Sequence, residues 1–274
     1  MAKLCKVTRL PAAYARKTKD STALMISKQQ IKFIQSLKIK KYRQQYRAFI
    51  AEGEKIVPEM LQSSVPVLGL YALPDWIQQH TALLKRHNCL HIVQEITDGE
   101  LNKISSLETP NCVLAIGSIA PQLPDDTVLQ QQLCLVLDDI KDPGNLGTII
   151  RTADWFGIPY VFCSPECVDV FNPKVVQSAM GSLFRVKVFY QPLPSLLQNY
   201  RHGPVFGALL NGLNAYTTPI QAPALLVVGS ESHGISGEVL PHIQQAITIP
   251  RRGGAESLNA AVAAGILCAL ALRR

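Results

Sequence analysis

Three stretches in the second half of the chain decide its fold: DPGNLGTIIRTADWFG at 142–157, VVGSESHGIS at 227–236 and ITIPRRGGAESLNAAVAAGIL at 247–267. Each places small or polar residues where a strand runs into a turn, which is where ligand sites are built at the carboxyl ends of α/β sheets. Around them lie six apolar runs, at residues 133–137, 160–163, 186–189, 205–210, 225–228 and 246–249, separated by helical patterns. Continuous apolar strands alternating with helices predict a parallel sheet covered on both faces.

In the first stretch the strand ends at Asp138-Asp139, Pro143-Gly144 turns the chain, and a helix is predicted from near Leu146. Its apolar stripe is Leu146, Ile149, Ile150, Ala153 and Phe156. Arg151 lies about 140° around from Leu146, off that stripe. An arginine at the mouth of a sheet, beside Asn145 at a helix start, can grip a phosphate or a growing oxyanion. A capping Asn145 and a solvated Arg151 are the alternative. In the second stretch Gly229 lets a ligand approach the backbone, Glu231 puts a carboxylate at the strand's end, and His233 reads as a solvated loop residue. The third has a basic loop, Arg251-Arg252-Gly253-Gly254. Ser257 is then the expected N-cap of a long Ala-rich helix, with Leu258 and Asn259 in its first turn.

In this order and spacing the three segments resemble the SpoU (TrmH) branch of the SPOUT RNA methyltransferases. The N-x-G-x-x-x-R pattern from Asn145 to Arg151 matches the family's first motif, and I-P…S-L-N from Ile249 to Asn259 matches its third. Two positions depart from it: Ser232 stands where glycine is more common, and Arg251 where many relatives carry methionine. The resemblance implies a C-terminal parallel-sheet α/β domain with a deep trefoil knot. It also implies transfer of a methyl group from S-adenosylmethionine to a ribose 2′-hydroxyl of RNA. Carried over by position, Gly229, Ile249 and Leu258 would cradle the cofactor, largely through backbone groups. Asn145 and Arg151 would meet the target ribose and its phosphate, and Glu231, Ser257 and Asn259 would complete the site. The resemblance implies that Arg151 activates the 2′-hydroxyl; an arginine, charged at any accessible pH, is a poor base, so the role expected of it is positioning and charge stabilisation, with direct deprotonation as the alternative. A sulfonium leaving group needs no metal, and none is expected. The family's members are homodimers, and the apolar 259–272 segment reads as a helix partly buried against a partner.

Composition agrees with a folded RNA-binding protein. Of 274 residues, 47 % are hydrophobic and 17 % charged, the balance of a chain that is globular for most of its length. The net charge of +7 is concentrated at one end: thirteen of the 27 Lys and Arg fall between Lys3 and Arg47, against one acid, Asp20. Phosphate contact is the commonest specific use of such a run. Lys40, Lys41, Arg43 and Arg47, interleaved with Tyr42 and Tyr46, are the candidate RNA contacts, the rings able to stack on bases while the cations hold phosphates. Core packing is the competing use of Tyr46 and Phe49. Residues 1–24 resemble a transit peptide in composition but are read as a disordered basic extension, because Met25 directly precedes the first patterned helix. Residues 25–119 are expected to form a small α/β ribosomal-protein-like RNA-binding domain, 120–132 a linker, and 133–274 the methyltransferase domain.

Seven scattered cysteines without a C-x-x-C pair fit reduced thiols in a cytoplasm and offer no zinc site. The longest apolar run, 260–272, is too short to span a bilayer. Ribosomal RNA is the expected substrate ahead of transfer RNA, because a separate N-terminal domain suits a folded target. A non-catalytic RNA-binding or ribosome-assembly protein is the alternative reading. A nucleotide-dependent Rossmann enzyme ranks last, for want of G-x-G-x-x-G after the first strand of either domain.

Overall fold

The computed structural model describes residues 25–273, and the expected extension at 1–24 lies outside them. The chain divides into two compact units, one running to Pro121 and also taking in Phe171–Gln177, the other comprising Gln122–Val170 and Ser178–Arg274.

The first unit opens with the helix Lys28–Ser36, capped as its sequence predicts: the Ser27 hydroxyl accepts from the Gln30 N–H, and the Gln30 side chain accepts from the Ser27 N–H. Its stripe buries Ile34 and Leu37. The unit's sheet has the order β1-β4-β2-β3, with β1 Ala48–Glu52, β2 Val67–Ala72, β3 Val93–Glu95 and β4 Val113–Ser118. β4 is antiparallel to both neighbours, and β2 pairs parallel with β3. Residues 90–93 read in the sequence as a short strand, yet the first three form a 3-10 turn, Leu90–Ile92, and β3 begins only at Val93. Phe49 is buried and its ring lies 4.8 Å from that of Phe171.

Arg43 corrects one expected RNA contact. It is only 2 % exposed, and its guanidinium donates to the Leu37 carbonyl at 2.9 Å. Leu37 is the C-cap of Lys28–Ser36, so the cation serves the carbonyl end of that helix, where the macrodipole favours positive charge. Lys40 and Lys41 are exposed, and Arg47, half-buried, closes the helix Lys40–Tyr46 in the left-handed region at φ 49°.

The second unit is a six-stranded sheet of order β10-β8-β9-β5-β6-β7, parallel throughout. Its strands are β5 Leu133–Asp138, β6 Tyr160–Cys163, β7 Lys187–Tyr190, β8 Val205–Asn214, β9 Ala224–Gly229 and β10 Gln245–Thr248. β5 is buried along its whole length, as a central strand covered on both faces must be. The stretch expected as a linker is partly built into this unit: Asp126–Leu129 is a helix, and Leu129 joins the core around Val136, Phe162 and Val227.

Two helix starts differ from the sequence reading. Pro143–Trp155 begins earlier than expected, with Pro143 in its first turn and Asp142, not Asn145, as cap; Asp142 Oδ1 accepts from the Asn145 N–H at 2.8 Å. The last helix, Ala260–Ala271, is capped by Asn259 rather than Ser257: Asn259 Oδ1 accepts from Ala261 and Val262 at 3.0 and 3.2 Å. Residues 251–259 are exposed throughout.

In the first unit, Glu100 ties the helix Asp98–Ile104 to the chain at Ile26: Oε1 accepts from the Ile26 N–H at 2.8 Å, and Oε2 from the N–H and hydroxyl of Thr97. Burial pushes this carboxyl up, but the hydrogen bonds from Thr97 and Ile26 outweigh it and leave the group below its ordinary value. A carboxylate lowered on folding stabilises the protein above its unfolded pKa, and that stabilisation is lost as the pH falls. Glu100→Gln is therefore expected to flatten the acid limb of the stability profile. Glu100→Ala should cost about 1–3 kcal/mol at neutral pH by leaving buried N–H groups unpaired. Urea unfolding at pH 3 to 7 checks both.

Candidate active site

The carboxyl ends of β5, β9 and β10 come together as the sheet order requires, with β9 directly beside β5 and β8 lying between β9 and β10. The loops that follow carry the three sequence segments. Asp138, buried at the end of β5, accepts from the Ser236 N–H at 2.7 Å and so ties the loop after β9 to the strand beside it. The turn after β5 is fixed from the other side: Ser164 Oγ accepts from the Asp139 N–H, and Cys167 Sγ accepts from the Ile140 N–H. Asp138, Ser164 and Cys167 were not singled out from sequence. Only the acid at the end of an apolar strand gave a signal.

Of the expected site residues, Asn145, Glu231 and Asn259 meet directly. Glu231 Oε1 accepts from the Asn145 side-chain amide, from Asn259 Nδ2 at 3.3 Å and from the Ala260 N–H at 3.2 Å. Asn259 Nδ2 also donates to Asn145 Oδ1 at 2.9 Å. The carboxylate thus sits at the N-terminus of Ala260–Ala271, where the helix dipole favours negative charge. Arg151 is exposed two turns into its helix, and among the described residues its guanidinium makes no hydrogen bond or ion pair. It does not join the cluster.

Beside this cluster is a cavity of about 890 Å³, within the roughly 300–1,000 Å³ of small-molecule sites. Gly229, Glu231, Ile249, Ser257 and Leu258 line it, so all three residues expected to cradle a cofactor reach it. Asn145, Arg151 and Asn259 are not among its lining. Gly229 cannot be replaced without movement: a Cβ there would lie 2.1 Å from the backbone of Gly234, which the loop brings back across the strand end. Ser230 and Gly234 close this return with a pair of backbone hydrogen bonds. His233 is exposed in the same loop, its Nδ1 2.8 Å from the Ser232 hydroxyl.

One wall was missed. β8 runs to Asn214 rather than ending at residue 210, and its register against β10 jumps: Ala246 faces Gly207, but Ile247 faces Leu213. Residues 208–212 stand without partners on β10, and Ala208, Leu209, Leu210 and Asn211 line the cavity. Thr248 Oγ1 donates to the Leu210 carbonyl at 3.1 Å and ties the excursion down. Gly212 was the available signal, since a glycine inside a strand marks close backbone approach. A Cβ there would stand 2.7 Å from the backbone of Ala246.

A parallel sheet with a glycine-walled, largely apolar cavity at its carboxyl ends, and a carboxylate-bridged amide pair at the cavity's edge, defines an α/β enzyme of the cofactor-binding class. Comparison with known proteins makes this specific. The model of the SpoU rRNA Methylase family matches residues 132–269, and that of the MRM3-like substrate binding domain matches residues 28–115. The 23S rRNA (guanosine(2553)-2'-O)-methyltransferase RlmP of Bacillus subtilis is 32 % identical over 242 residues, 87 % of this chain and 94 % of that protein. A TrmH-family protein from Porphyromonas gingivalis superposes with a TM-score of 0.79 at 39 % identity, covering 90 % of this chain and 98 % of the other. An AdoMet-bound rRNA methyltransferase from Sinorhizobium meliloti does so at 0.78 and 28 % identity, covering 90 % and 96 %. The chain belongs to the SpoU rRNA methylase family.

Removing the Glu231 carboxylate strips an acceptor from two side-chain amides and a helix N–H. Because the two amides are open to water once the carboxylate is gone, Glu231→Ala is expected to lower stability by only about 0.5–1.5 kcal/mol, with Glu231→Gln, which keeps one acceptor oxygen, falling between it and the wild type. Urea unfolding of the three proteins measures it.

Proposed function

We propose that the chain is an S-adenosylmethionine-dependent RNA methyltransferase that modifies a ribose 2′-hydroxyl of ribosomal RNA. The observation that carries this reading is the junction of Asn145, Glu231 and Asn259 beside the cavity that Gly229, Ile249 and Leu258 line. Family membership supports the reaction and the cofactor. The names of the relatives, together with a first unit matching a substrate-binding domain, support ribosomal RNA over transfer RNA.

The cavity suits the cofactor by its chemistry. Leu209, Val228, Ile247 and Leu267 offer an apolar bed for a flat base, and Gly229 leaves backbone groups open to the ligand. Glu231 Oε2, without a partner among the described residues, gives the cavity negative charge suited to a cation. Bound there, S-adenosylmethionine supplies an electrophilic methyl group on a sulfonium. The protein's contribution is alignment and charge. Asn145, its amide oriented by Glu231 and Asn259, is placed to hold the target ribose. Arg151, permanently charged and unengaged, holds the adjoining phosphate and stabilises negative charge growing on the 2′-oxygen. Ser257, exposed at the cavity's edge, is placed to meet the substrate as it enters.

Lys40, Lys41 and Arg47 are proposed as RNA contacts of the first unit. The family also implies the trefoil knot and a homodimer, and the half-exposed Val262 on Ala260–Ala271 fits a helix face that a second copy covers. A cytoplasmic location agrees with the free thiols of the six described cysteines. Among the described residues no helix is long and apolar enough to cross a membrane.

Radiolabelled methyl transfer from S-adenosylmethionine to unmodified ribosomal RNA, with the product digested to nucleosides, tests the reading. The wild type is expected to label a 2′-O-methylnucleoside. Arg151→Ala should lose about 10²–10³-fold in rate with cofactor affinity unchanged, and Arg151→Lys should not restore it, because a point charge does not replace a planar fork. RNA binding by the wild type without transfer would sink the reading in favour of a non-catalytic RNA-binding protein. In parallel, Gly229→Ala is expected to abolish cofactor binding by calorimetry, because its Cβ forces the 230–234 loop out of place.

A further inference from the structure

β5 ends in a turn whose polar groups are met from two sides by buried side chains outside the cluster of Asn145, Glu231 and Asn259. Asp139 stands there in the left-handed region at φ 58°, so the chain leaves the strand abruptly and its next N–H groups need partners other than a neighbouring strand. The loop after β6 supplies them. Ser164 Oγ accepts from the Asp139 N–H at 3.1 Å, and Cys167 Sγ accepts from the Ile140 N–H at 3.2 Å while its thiol donates to the Leu137 carbonyl at 3.3 Å. Two backbone bonds, from the Ser164 N–H to the Leu137 carbonyl and from the Val168 N–H to the Ile140 carbonyl, close the same latch. Ser164 and Cys167 are 4 % and 2 % exposed, so a bond lost there is not replaced by water. The turn they fix runs directly into Asp142, whose Oδ1 holds the Asn145 N–H. Asp138 serves the other loop. It pairs in register with Gly229, and its Oδ2 accepts from the Ser236 N–H at 2.7 Å. Ser236 directly follows residues 230–235, all of which line the cavity, and its carbonyl accepts from the Val239 and Leu240 N–H groups at 3.0 and 2.9 Å. The tie therefore holds the point at which the loop leaves the site.

We propose that Asp138, Ser164 and Cys167 are positioning residues with divided tasks: Asp138 sets the loop that cradles the cofactor, and Ser164 with Cys167 sets the turn that carries Asn145 to the ribose. The proposal rests on the RNA methyl-transfer reading above and adds to it residues that touch neither substrate nor cofactor. None of the three lines the cavity. A change at Asp138 reaches the cofactor through the 230–236 loop, because the Asp138 backbone stays paired with β9 and only its side chain bonds Ser236. A change at Ser164 or Cys167 reaches the ribose through the turn, because both side chains bond its backbone and neither bonds the loop after β9. Glu231 keeps its own donors, Asn145, Asn259 and the Ala260 N–H, whichever arm is cut. The two arms therefore act on separate kinetic quantities.

Calorimetric binding of S-adenosylmethionine and methyl transfer to an unmodified ribosomal RNA transcript, both with the full-length protein, separate the arms. Asp138→Ala is expected to weaken cofactor binding roughly ten-fold with kcat at saturating cofactor little changed, and Asp138→Asn, which keeps an acceptor without the charge, should fall between it and the wild type. Ser164→Ala and Cys167→Ala should bind the cofactor as the wild type does and lose roughly ten-fold in kcat, the effect of misplacing a group that orients the reacting ribose. Cys167→Ser, whose hydroxyl both accepts and donates from the same place, should recover most of that rate. Asp138→Asn and Ser164→Ala, the mildest change on each arm, carry the same split should a larger one fail to fold. Lower stability with cofactor affinity and kcat both unchanged would show a merely structural role and overturn the proposal. Parallel losses of affinity and rate on both arms would overturn it as well. A wild type without methyl transfer overturns the functional reading and with it the Asn145 arm, and cofactor binding then decides the Asp138 arm by itself.

Discussion

The candidate site depends on one carboxylate oxygen. Glu231 Oε1 receives Asn145 from the first turn of the helix after β5, and Asn259 and Ala260 from the start of the last helix, while Glu231 itself follows β9. Three segments separated by tens of residues are held in register by an acceptor that none of them carries next to its own donor. A charged acceptor suits this position twice over. Hydrogen bonds to an ionised group are about twice as strong as neutral ones, and the N-terminus of Ala260–Ala271 adds the favourable end of its dipole. Asn259 has two tasks, since its Oδ1 caps the helix while its Nδ2 bonds to Glu231 and Asn145. The residue that starts the helix thereby fixes the site's geometry.

That junction requires the sheet order. β9 lies directly against β5, with Asp138 opposite Gly229 at their ends, so two loops far apart in sequence leave the sheet side by side. Asp138 then holds the second loop by the Ser236 N–H, and the return of Gly234 over Gly229 leaves no space for a side chain. On the far side, the register jump between β8 and β10 supplies the wall that a regular strand pair would have filled with ladder hydrogen bonds. The cavity is the space left where pairing is interrupted, and the glycines stand where backbone has to lie on backbone.

Much of this was legible in the sequence, for physical reasons that also mark the limit. The apolar runs forecast the parallel sheet because central strands covered on both faces tolerate no polar alternation. The stripe from Leu146 to Ala153 forecast which side of its helix is buried, and so that Arg151 faces out. What failed was the choice among polar residues competing for one backbone role. Ser257 and Asn259 are both good caps, and Asp142 and Asn145 both precede a helix; only tertiary contacts, here those of Glu231, decide which residue caps and which turns inward. Arg43 failed similarly. A run of cations forecasts a positive surface in aggregate, but one of them was taken by a helix carbonyl end three residues before the chain turns. The excursion at 208–212 left no trace in periodicity, because it is set by pairing partners and not by burial.

The site's two sides differ in how firmly they are held, and the difference follows from the chemistry each has to perform. The Glu231 side is braced by Asp138, by the Ser230–Gly234 bridge and by two amides. The opposite rim, residues 251–258, is exposed along its length, and the hydrogen bond from Arg251 to the Ala255 carbonyl at 3.1 Å closes its loop on itself. Gly253 and Gly254 have open space where a Cβ would point. Alignment of an attacking oxygen with a methyl carbon tolerates little displacement, so the residues that orient the ribose belong on the braced side. A polymeric substrate must approach from solvent and leave again, so the rim it crosses cannot be packed to core density. The fold meets both demands by building the rigid side at the buried centre of the sheet, on β5 and β9, and the open rim beyond β10, the sheet's edge strand.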